Sequence, residues 1–183
     1  MESQKKVEVS DMDKTHLSLI RKNVSNFLRK CGEIYDRDGI LLDIAPQEHE
    51  GAAPYFKLMK IETLDINPNS NATYIADICS NNSDKISDNF FDIVVCTEVL
   101  EHTYNPFDAV KEIYRILKPS GLLLASCPFN FRIHGPLPDC WRFTEHGIRY
   151  MLNKFQDVKI ESLETPNRDL MPIHYTIVAR KPK

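Results

Sequence analysis

The sequence lacks the features that would place the chain in a membrane or in an oxidising compartment. None of its apolar runs is longer than the one from Leu122 to Ala125, far short of the roughly 20 residues that a membrane-spanning helix needs. The lysines of residues 1–6 have no apolar segment behind them, so no signal peptide is visible. The five cysteines are odd in number and form no C-x-x-C pair, which argues against a disulfide framework and a zinc ribbon. We therefore expect a cytoplasmic protein.

The sequence also lacks a strong excess of positive or negative charge. The 23 lysines and arginines nearly balance the 26 aspartates and glutamates, which leaves a net charge of −3. A surface of this kind does not attract a nucleic-acid duplex or an anionic membrane, so we expect neither as a partner. The length of 183 residues and the 42% hydrophobic content are those of one globular domain, and we expect residues 1–183 to form it. The sequence carries no signal for the oligomeric state.

Short apolar runs alternate with segments of helical periodicity. The runs predict strands at residues 40–44, 61–66, 73–78, 91–96 and 122–127. Helices are predicted over about residues 10–31, from Asn105-Pro106 onward, and over residues 144–153. Strands that are apolar on both faces are typical of a parallel sheet covered by helices, and alternating segments near the carboxyl terminus predict an antiparallel pair at the sheet edge. The fold class is therefore α/β: a doubly wound, mostly parallel seven-stranded sheet with a terminal antiparallel hairpin.

Four acidic residues lie at or just after the ends of successive predicted strands, at the positions where ligands of such sheets bind. They are Asp43, Asp65, Asp77 and Glu98. A carboxylate after the second strand can accept two hydroxyl hydrogen bonds from a ribose, and Asp77 beside Ile78 suits the edge and the face of an adenine. Any one of these acids alone would be explained as a helix cap or a solvated turn. Four of them at successive strand ends predict a nucleoside-binding site.

From about residue 39 to residue 180 the chain resembles the class I S-adenosylmethionine-dependent methyltransferases, and among them the methyltransferase type 11-like enzymes that methylate glycans and sugars. The most specific segments are FDIVVCTEVLEH, residues 91–102, and RILKPSG, residues 115–121. The resemblance implies a Rossmann-like fold with S-adenosylmethionine as the cofactor, bound within residues 39–127. It also implies the residues that contact this cofactor: Asp43 at its methionine end, Asp65 at the ribose, Ile66 and Asp77 at the adenine, and in addition Ala45, Ile78 and Thr97.

The loop after the first predicted strand departs from the family pattern D-x-G-x-G. Ala45 and Gln47 stand in place of the two glycines, with Pro46 between them. A β-carbon narrows the approach of the backbone to a ligand, and proline removes an N–H donor, so weaker cofactor binding is expected. The departure supports an alternative from another class, in which a degenerate methyltransferase fold no longer binds the cofactor and acts as an interaction module.

A second group of polar residues is Glu98-x-x-Glu101-His102. In a helix, positions i, i+3 and i+4 share one face, and two carboxylates with an imidazole can bind a divalent cation. The segment resembles the E-x-x-E-H motif of metal-assisted O-methyltransferases, namely the small-RNA 3′-end ribose methylating enzymes and the ubiquinone-pathway O-methyltransferase. This resemblance implies Glu98, Glu101, His102 and His134 as ligands of Mg²⁺ or Mn²⁺. The alternative is that the segment ends a loop and binds no ion.

Residues 128–144 form the longest segment without strand or helix periodicity and contain the only tryptophan. Irregular aromatic loops beyond a strand end often line a substrate site. The pattern H-x-x-P-x-D-x-W-R-F-T resembles bacterial and viral methyltransferases that are encoded with polysaccharide-building enzymes. Trp141 and Phe143 could therefore stack on a sugar face while Asp139 or Arg142 binds its hydroxyls, although for Phe143 packing under the loop is the favoured interpretation. The alternative is that the two aromatic rings pack under the loop.

These motifs together predict an S-adenosylmethionine-dependent O-methyltransferase that modifies a sugar hydroxyl of a glycan or nucleotide sugar, with metal assistance as an option. The expected partner is the sugar or glycan acceptor, and the catalytic candidates are His102 and His134, either of which can take the hydroxyl proton. The alternative within this class is ribose 2′-O-methylation at an RNA end. The net charge argues against it, although Arg132, Arg142 and Arg149 could form a basic groove.

Overall fold

The apolar runs of the sequence form one seven-stranded sheet. The structure, a computed structural model, describes residues 9–46 and 51–183; the lysines of residues 1–6 and the predicted glycine replacement Gln47 lie outside this part of the chain. The strands are β1 (Gly39–Ile44), β2 (Met59–Asp65), β3 (Tyr74–Ile75), β4 (Phe91–Thr97), β5 (Leu117–Pro128), β6 (Gln156–Leu163) and β7 (His174–Arg180). The helices are α1 (Asp11–Tyr35), α2 (Pro106–Ile116) and α3 (Glu145–Met151), with a 3-10 turn at Leu100–His102.

The order of the strands in the sheet is β3-β2-β1-β4-β5-β7-β6. Strands β1 to β5 pair in parallel, whereas β7 is antiparallel to both of its neighbours, β5 and β6. The predicted fold class is therefore confirmed, with β7 inside the sheet and β6 at its edge. Between β1 and β4 the strand order reverses direction, which leaves a crevice beyond the carboxyl ends of these two strands.

Helices cover both faces of the sheet. Successive residues of a strand point to opposite sides, so each strand contributes side chains to both faces. On one face, α2 and α3 pack with fully buried residues such as Leu42 and Val94. On the other face, α1 packs with their sequence neighbours Leu41 and Ile93, which are equally buried. This packing on two sides explains why β1, β4 and the second half of β5 carry nearly continuous apolar runs. Each fully buried aliphatic side chain of this kind contributes about 1.5–3 kcal/mol.

Local capping signals set the starts of the helices. At the start of α1, the Ser10 hydroxyl accepts a hydrogen bond from the N–H of Asp13 at 3.1 Å. Asn105 caps α2, whose first residue is Pro106, as the sequence predicts. Thr144 caps α3 in the same way. Polar caps next to apolar periodic segments therefore mark these starts correctly.

Two elements differ from their predicted extents. Helix α1 continues to Tyr35 instead of ending near residue 31. The third strand is only two residues long, and the chain turns soon after it, where the Asp77 carboxylate accepts a hydrogen bond from the N–H of Cys79 at 2.8 Å. The described connections between β1 and β4 contain no helix, which leaves α1 to cover its face of the sheet. None of the described helices has both the length and the hydrophobicity that crossing a bilayer requires.

Candidate functional site

A cavity of about 580 Å³ opens beyond the carboxyl ends of β1 and β4, in the crevice where the strand order reverses. This volume is in the range of sites that hold small molecules and cofactors. Helix α1 closes one side through apolar side chains that include Ile20 and Val24. The predicted site residues that line the cavity are Asp43, Ala45, Thr97, Glu98, His102 and His134. The fold thus brings part of the predicted cofactor site and the predicted catalytic residues to one cavity.

Asp43, at the end of β1, is buried with only 3% of its surface exposed. Its Oδ2 accepts a hydrogen bond from the N–H of Ala52 at 2.7 Å. Burial nevertheless raises the pKa of Asp43 to about 6, because the charged form loses more solvation than this hydrogen bond returns. Gly51 lies against the same carboxylate with a φ of +56°, and a β-carbon there would overlap Oδ2. Sequence reasoning missed Gly51, and the available signal was a glycine eight residues after the acidic one.

Ala45 adopts the backbone conformation that usually selects glycine. Its φ is +50°, in the left-handed region, and its N–H donates to the carbonyl oxygen of Leu64 at 2.7 Å. A residue with a β-carbon in this region costs roughly 1–2 kcal/mol relative to the right-handed one. At the first glycine position of the D-x-G-x-G pattern, the loop therefore has the backbone conformation that favours glycine, although alanine stands there.

The other predicted cofactor residues do not line the cavity; they lie at the end of β2 and in the turn after β3. Asp65 is 8% exposed, and its Oδ1 accepts a hydrogen bond from the N–H of Asn67 at 2.8 Å. Asp77 uses its own Oδ1 in the turn described above. Ile66 is 67% exposed, so its side chain is accessible to a ligand. Ile78, in contrast, is buried in the hydrophobic core, so its side chain is not available for an adenine.

Three of the four predicted metal ligands come together. Glu101 and His102 lie in the 3-10 turn after β4, His134 lies in the loop after β5, and one ligand atom of each lies within 4.8 Å of the other two. Glu101 is fully buried, and neither carboxylate oxygen accepts a hydrogen bond from the described residues. Burial and the nearby charge of Glu98 raise the pKa of Glu101 well above its usual range. A buried carboxylate without partners is costly, so this donor set fits a divalent cation.

Glu98, the fourth predicted ligand, is not part of this group. Its φ is +55° and the 3-10 turn begins only at residue 100, so the prediction of a shared helical face for Glu98, Glu101 and His102 is wrong. Its Oε1 instead accepts hydrogen bonds from Ser126 Oγ at 2.8 Å and from His174 Nε2 at 2.6 Å. Although burial opposes the shift, His174 and these hydrogen bonds hold the pKa of Glu98 below its usual value.

The hydrogen bonds of the two histidines define where their protons lie. His102 Nδ1 lies 2.8 Å from the carbonyl oxygen of Pro138, which can only accept, so Nδ1 carries the hydrogen. His134 Nδ1 lies 3.0 Å from Asp139 Oδ2 and donates to it in the same way. Burial lowers the pKa of His134, although Asp139 opposes this shift, so the neutral ring is favoured. The two rings are 4.8 Å apart, and each presents an Nε2 lone pair that can accept a proton or bind a cation.

The loop after β5 uses its polar residues internally. Arg142 donates to both carboxylate oxygens of Asp139, whose side chain is fully buried, and holds the pKa of Asp139 well below its usual range despite that burial. The expectation that either residue binds acceptor hydroxyls is therefore wrong. Phe143 packs in the core, as the alternative interpretation proposed. Trp141 stays exposed, stacks on Phe143 and donates its Nε1–H to the carbonyl oxygen of Thr103 at 2.8 Å.

Comparison with known proteins supports the class that this fold and site suggest. The methyltransferase domain family matches residues 42–125. No curated protein sequence matches the chain significantly. Among solved structures, the CurJ carbon methyltransferase is 14% identical with a TM-score of 0.68, over 94% of this chain and 59% of that one. A methyltransferase from Archaeoglobus fulgidus is 18% identical with a TM-score of 0.66, over 88% and 94% of the two chains.

A third similar structure is phosphoethanolamine N-methyltransferase 2 of Haemonchus contortus in complex with S-adenosylmethionine. It is 15% identical with a TM-score of 0.67, over 97% of this chain and 59% of that one. The chain has the class I S-adenosylmethionine-dependent methyltransferase fold. The family match supports a transferase enzyme, whereas these structures, each less than 25% identical, show the fold alone. Carbon and nitrogen methyltransferases are both among them, so methylation of a sugar oxygen stays a prediction.

Proposed function

We propose that the protein is an S-adenosylmethionine-dependent O-methyltransferase that modifies a sugar hydroxyl of a glycan or nucleotide sugar. The observation that carries this proposal is the cavity beyond β1 and β4. On its β1 side lies the carboxylate of Asp43, and on its β4 side lie the imidazoles of His102 and His134. A cofactor placed against β1 would direct its methyl group towards the two histidines, which is where an acceptor hydroxyl must lose its proton.

Asp43 is assigned to the ammonium group of the cofactor, because it is the buried carboxylate at the floor of the cavity. Asp65 is assigned to the ribose and Asp77 to the adenine amino group, with Ile66 against the ring. Each of the two aspartates uses only its Oδ1 within the described residues, which leaves Oδ2 for the nucleoside. Ala45 has the left-handed backbone that favours the glycine of the family pattern, and this supports a cofactor-binding protein over the interaction module.

Methyl transfer to a hydroxyl has two requirements that the residues of this chain must meet. The sulfonium is already a strong electrophile, so the residues must align the hydroxyl for in-line attack and take up its proton. The Nε2 atoms of His102 and His134 can accept that proton, since both hydrogens lie on Nδ1. A divalent cation, if bound, would be held by Glu101, His102 and His134 and would make a coordinated hydroxyl more acidic. General base and metal ligand are alternative assignments for these histidines, and chelation separates them.

The structure weakens the RNA-end alternative. Two of the three arginines expected to form a basic groove are already paired: Arg142 with Asp139, and Arg149 with Glu145. Together with the net charge of −3, this leaves little positive charge for a phosphate backbone. A sugar acceptor does not need that charge, so it remains the better match to the site.

Isothermal titration calorimetry with S-adenosylhomocysteine tests the cofactor half of the proposal. We expect wild-type protein to bind, and Asp65→Ala to weaken binding roughly 10- to 100-fold, because hydrogen bonds to a charged acceptor contribute about 1.5–3 kcal/mol. Asp169→Ala, which removes an exposed loop carboxylate, is the matched control and should bind like wild type. Absence of binding to the wild type would favour the interaction module. Unchanged affinity in Asp65→Ala would remove Asp65 from the site.

The acceptor half is tested by transfer of a labelled methyl group. Wild-type protein should methylate nucleotide sugars or glycans in preference to amine acceptors and RNA 3′ ends. His102→Gln and His134→Gln should lose transfer while they keep affinity for S-adenosylhomocysteine, since neither is assigned to the cofactor. Equal or greater transfer to amines or RNA would refute the sugar acceptor without affecting the assignment of the cofactor.

A further inference from the structure

Asp139 is a buried carboxylate whose hydrogen bonds converge on one catalytic candidate. Its Oδ2 accepts from the backbone N–H of His134 at 2.9 Å and from His134 Nδ1 at 3.0 Å. Arg142 donates to Oδ2 at 2.7 Å and also to Oδ1. The carboxylate side chain is fully buried. Two of its four hydrogen bonds therefore come from the same histidine, one from its backbone and one from its ring.

This arrangement determines the tautomer of His134. A carboxylate bound by both Nη groups of a guanidinium is ionised and can only accept hydrogen bonds, so the shared hydrogen belongs to Nδ1 of the ring. The Nε2 atom then keeps its lone pair, in a ring that has a ligand atom within 4.8 Å of ligand atoms of Glu101 and His102. Free histidine prefers the opposite tautomer, with the hydrogen on Nε2. Asp139 thus opposes the intrinsic preference of the ring.

Arg142 holds the same loop through its backbone. Besides Asp139, it donates to the carbonyl oxygens of Arg132 at 2.7 Å, of Trp141 at 2.7 Å and of Phe131 at 3.2 Å. These carbonyls lie on both sides of His134 in the sequence, so one guanidinium ties the two arms of the loop together. The loop is in turn tied to the 3-10 turn, where the carbonyl oxygen of Glu101 accepts from the backbone N–H that follows Asp139 at 2.7 Å.

We propose that Asp139 is a positioning residue that keeps the Nε2 lone pair of His134 available to the reaction, with Arg142 holding Asp139 in place. The proposal rests on the proposed function, because a lone pair on Nε2 is needed whether His134 accepts a proton or binds a cation. It assigns a role to two residues that the sequence pattern had suggested for acceptor binding. Asp139 acts through His134 and does not touch the acceptor.

The test compares two substitutions at this position. Asp139→Ala removes both acceptors, so the His134 hydrogen should move to Nε2, and kcat should fall roughly 10- to 100-fold while affinity for S-adenosylhomocysteine is unchanged. Asp139→Asn can keep an oxygen at the position of Oδ2 and should retain the hydrogen on Nδ1 and part of the activity. The side-chain ¹⁵N shifts of His134 in the ligand-free protein report the tautomer directly, with His134→Gln assigning the signals.

Glu112→Ala is the matched control. Glu112 is another buried carboxylate that pairs with an arginine, Arg115, but it lies on α2, away from the cavity. Loss of a buried ion pair should destabilise both alanine variants, whereas only Asp139→Ala should change the His134 spectrum and kcat. A hydrogen on His134 Nε2 in the wild type, an unchanged tautomer in Asp139→Ala, or equal effects on kcat in the two variants would overturn the proposal.

The outcomes distinguish a failure of the positioning role from a failure of the proposed function. If Asp139→Ala does not fold, the wild-type and Asp139→Asn spectra still decide which nitrogen carries the hydrogen. If wild-type protein binds no S-adenosylhomocysteine or transfers no methyl group, the proposed function fails, and a positioning role for Asp139 in catalysis fails with it. If wild type is active but Asp139→Ala has wild-type kcat, only the positioning role fails.

Discussion

Replacing Asp43 with asparagine should stabilise the ligand-free protein and weaken its binding of the cofactor. The carboxylate is 3% exposed and its pKa is raised to about 6, so at neutral pH the folded state holds a charge that burial disfavours. An acid with a raised pKa in the folded state binds protons more tightly there than in the unfolded chain. The stability that this tighter proton binding gives the folded state is therefore lost as the pH rises from the pKa of the unfolded chain to the pKa of the folded protein.

The magnitude follows from the two pKa values. With an unfolded pKa of about 3.9 and a folded pKa of about 6, ionisation of Asp43 costs about 3 kcal/mol above neutral pH. At about pH 4.5, where Asp43 is mostly protonated in the folded state, this cost to the free energy of unfolding is only about 1 kcal/mol. Asp43→Asn is neutral at every pH. The free energy of unfolding of Asp43→Asn minus that of wild type should therefore be about 2 kcal/mol larger at about pH 7.5 than at about pH 4.5.

Urea unfolding of both proteins at these two pH values is the assay, with Asp169→Asn as the exposed control. A difference between Asp43→Asn and wild type that does not change with pH would refute this account of Asp43. Calorimetry adds the functional half: Asp43→Asn should bind S-adenosylhomocysteine roughly 10- to 100-fold more weakly. Its affinity for methylthioadenosine, which lacks the ammonium group, should equal that of wild type. Equal losses for both ligands would exclude an ammonium contact.

Two further predictions concern Glu101 and Trp141. Mn²⁺ or Mg²⁺ should raise the melting temperature of wild type but not of Glu101→Gln, because the unpartnered Glu101 carboxylate is the charged ligand of the proposed cation site. Turnover lost in chelator and restored by the ion in wild type alone would support the metal, whereas full turnover in chelator would leave the histidines as unaided bases. Trp141→Ala should raise the acceptor KM and leave S-adenosylhomocysteine affinity unchanged, because Trp141 is exposed outside the cofactor cavity. Loss of cooperative melting in that variant would instead assign Trp141 to the core.

The elements that could be predicted from sequence are those with local signals. Apolar runs indicate β1, β4 and β5, because a central strand that is covered on both faces is apolar at most positions. The Asn105-Pro106 cap marks the start of α2, since it satisfies N–H groups of that helix with its own side chain. The short extent of β3 was not predicted, because the pairing of an edge strand with its neighbour is a tertiary contact that apolar residues alone do not indicate.

The sequence by itself therefore determined the fold class and the placement of acidic residues near the strand ends. Both follow from the periodicity of the apolar residues and from the geometry of parallel sheets. Only the tertiary structure decided which polar groups meet. It joins Glu98 to His174, 76 residues away, and so removes Glu98 from the group formed by Glu101, His102 and His134. The physical reason is that spacing along a helix or strand encodes only neighbours within that element. Contacts between loops depend on how the whole sheet and its covering helices pack.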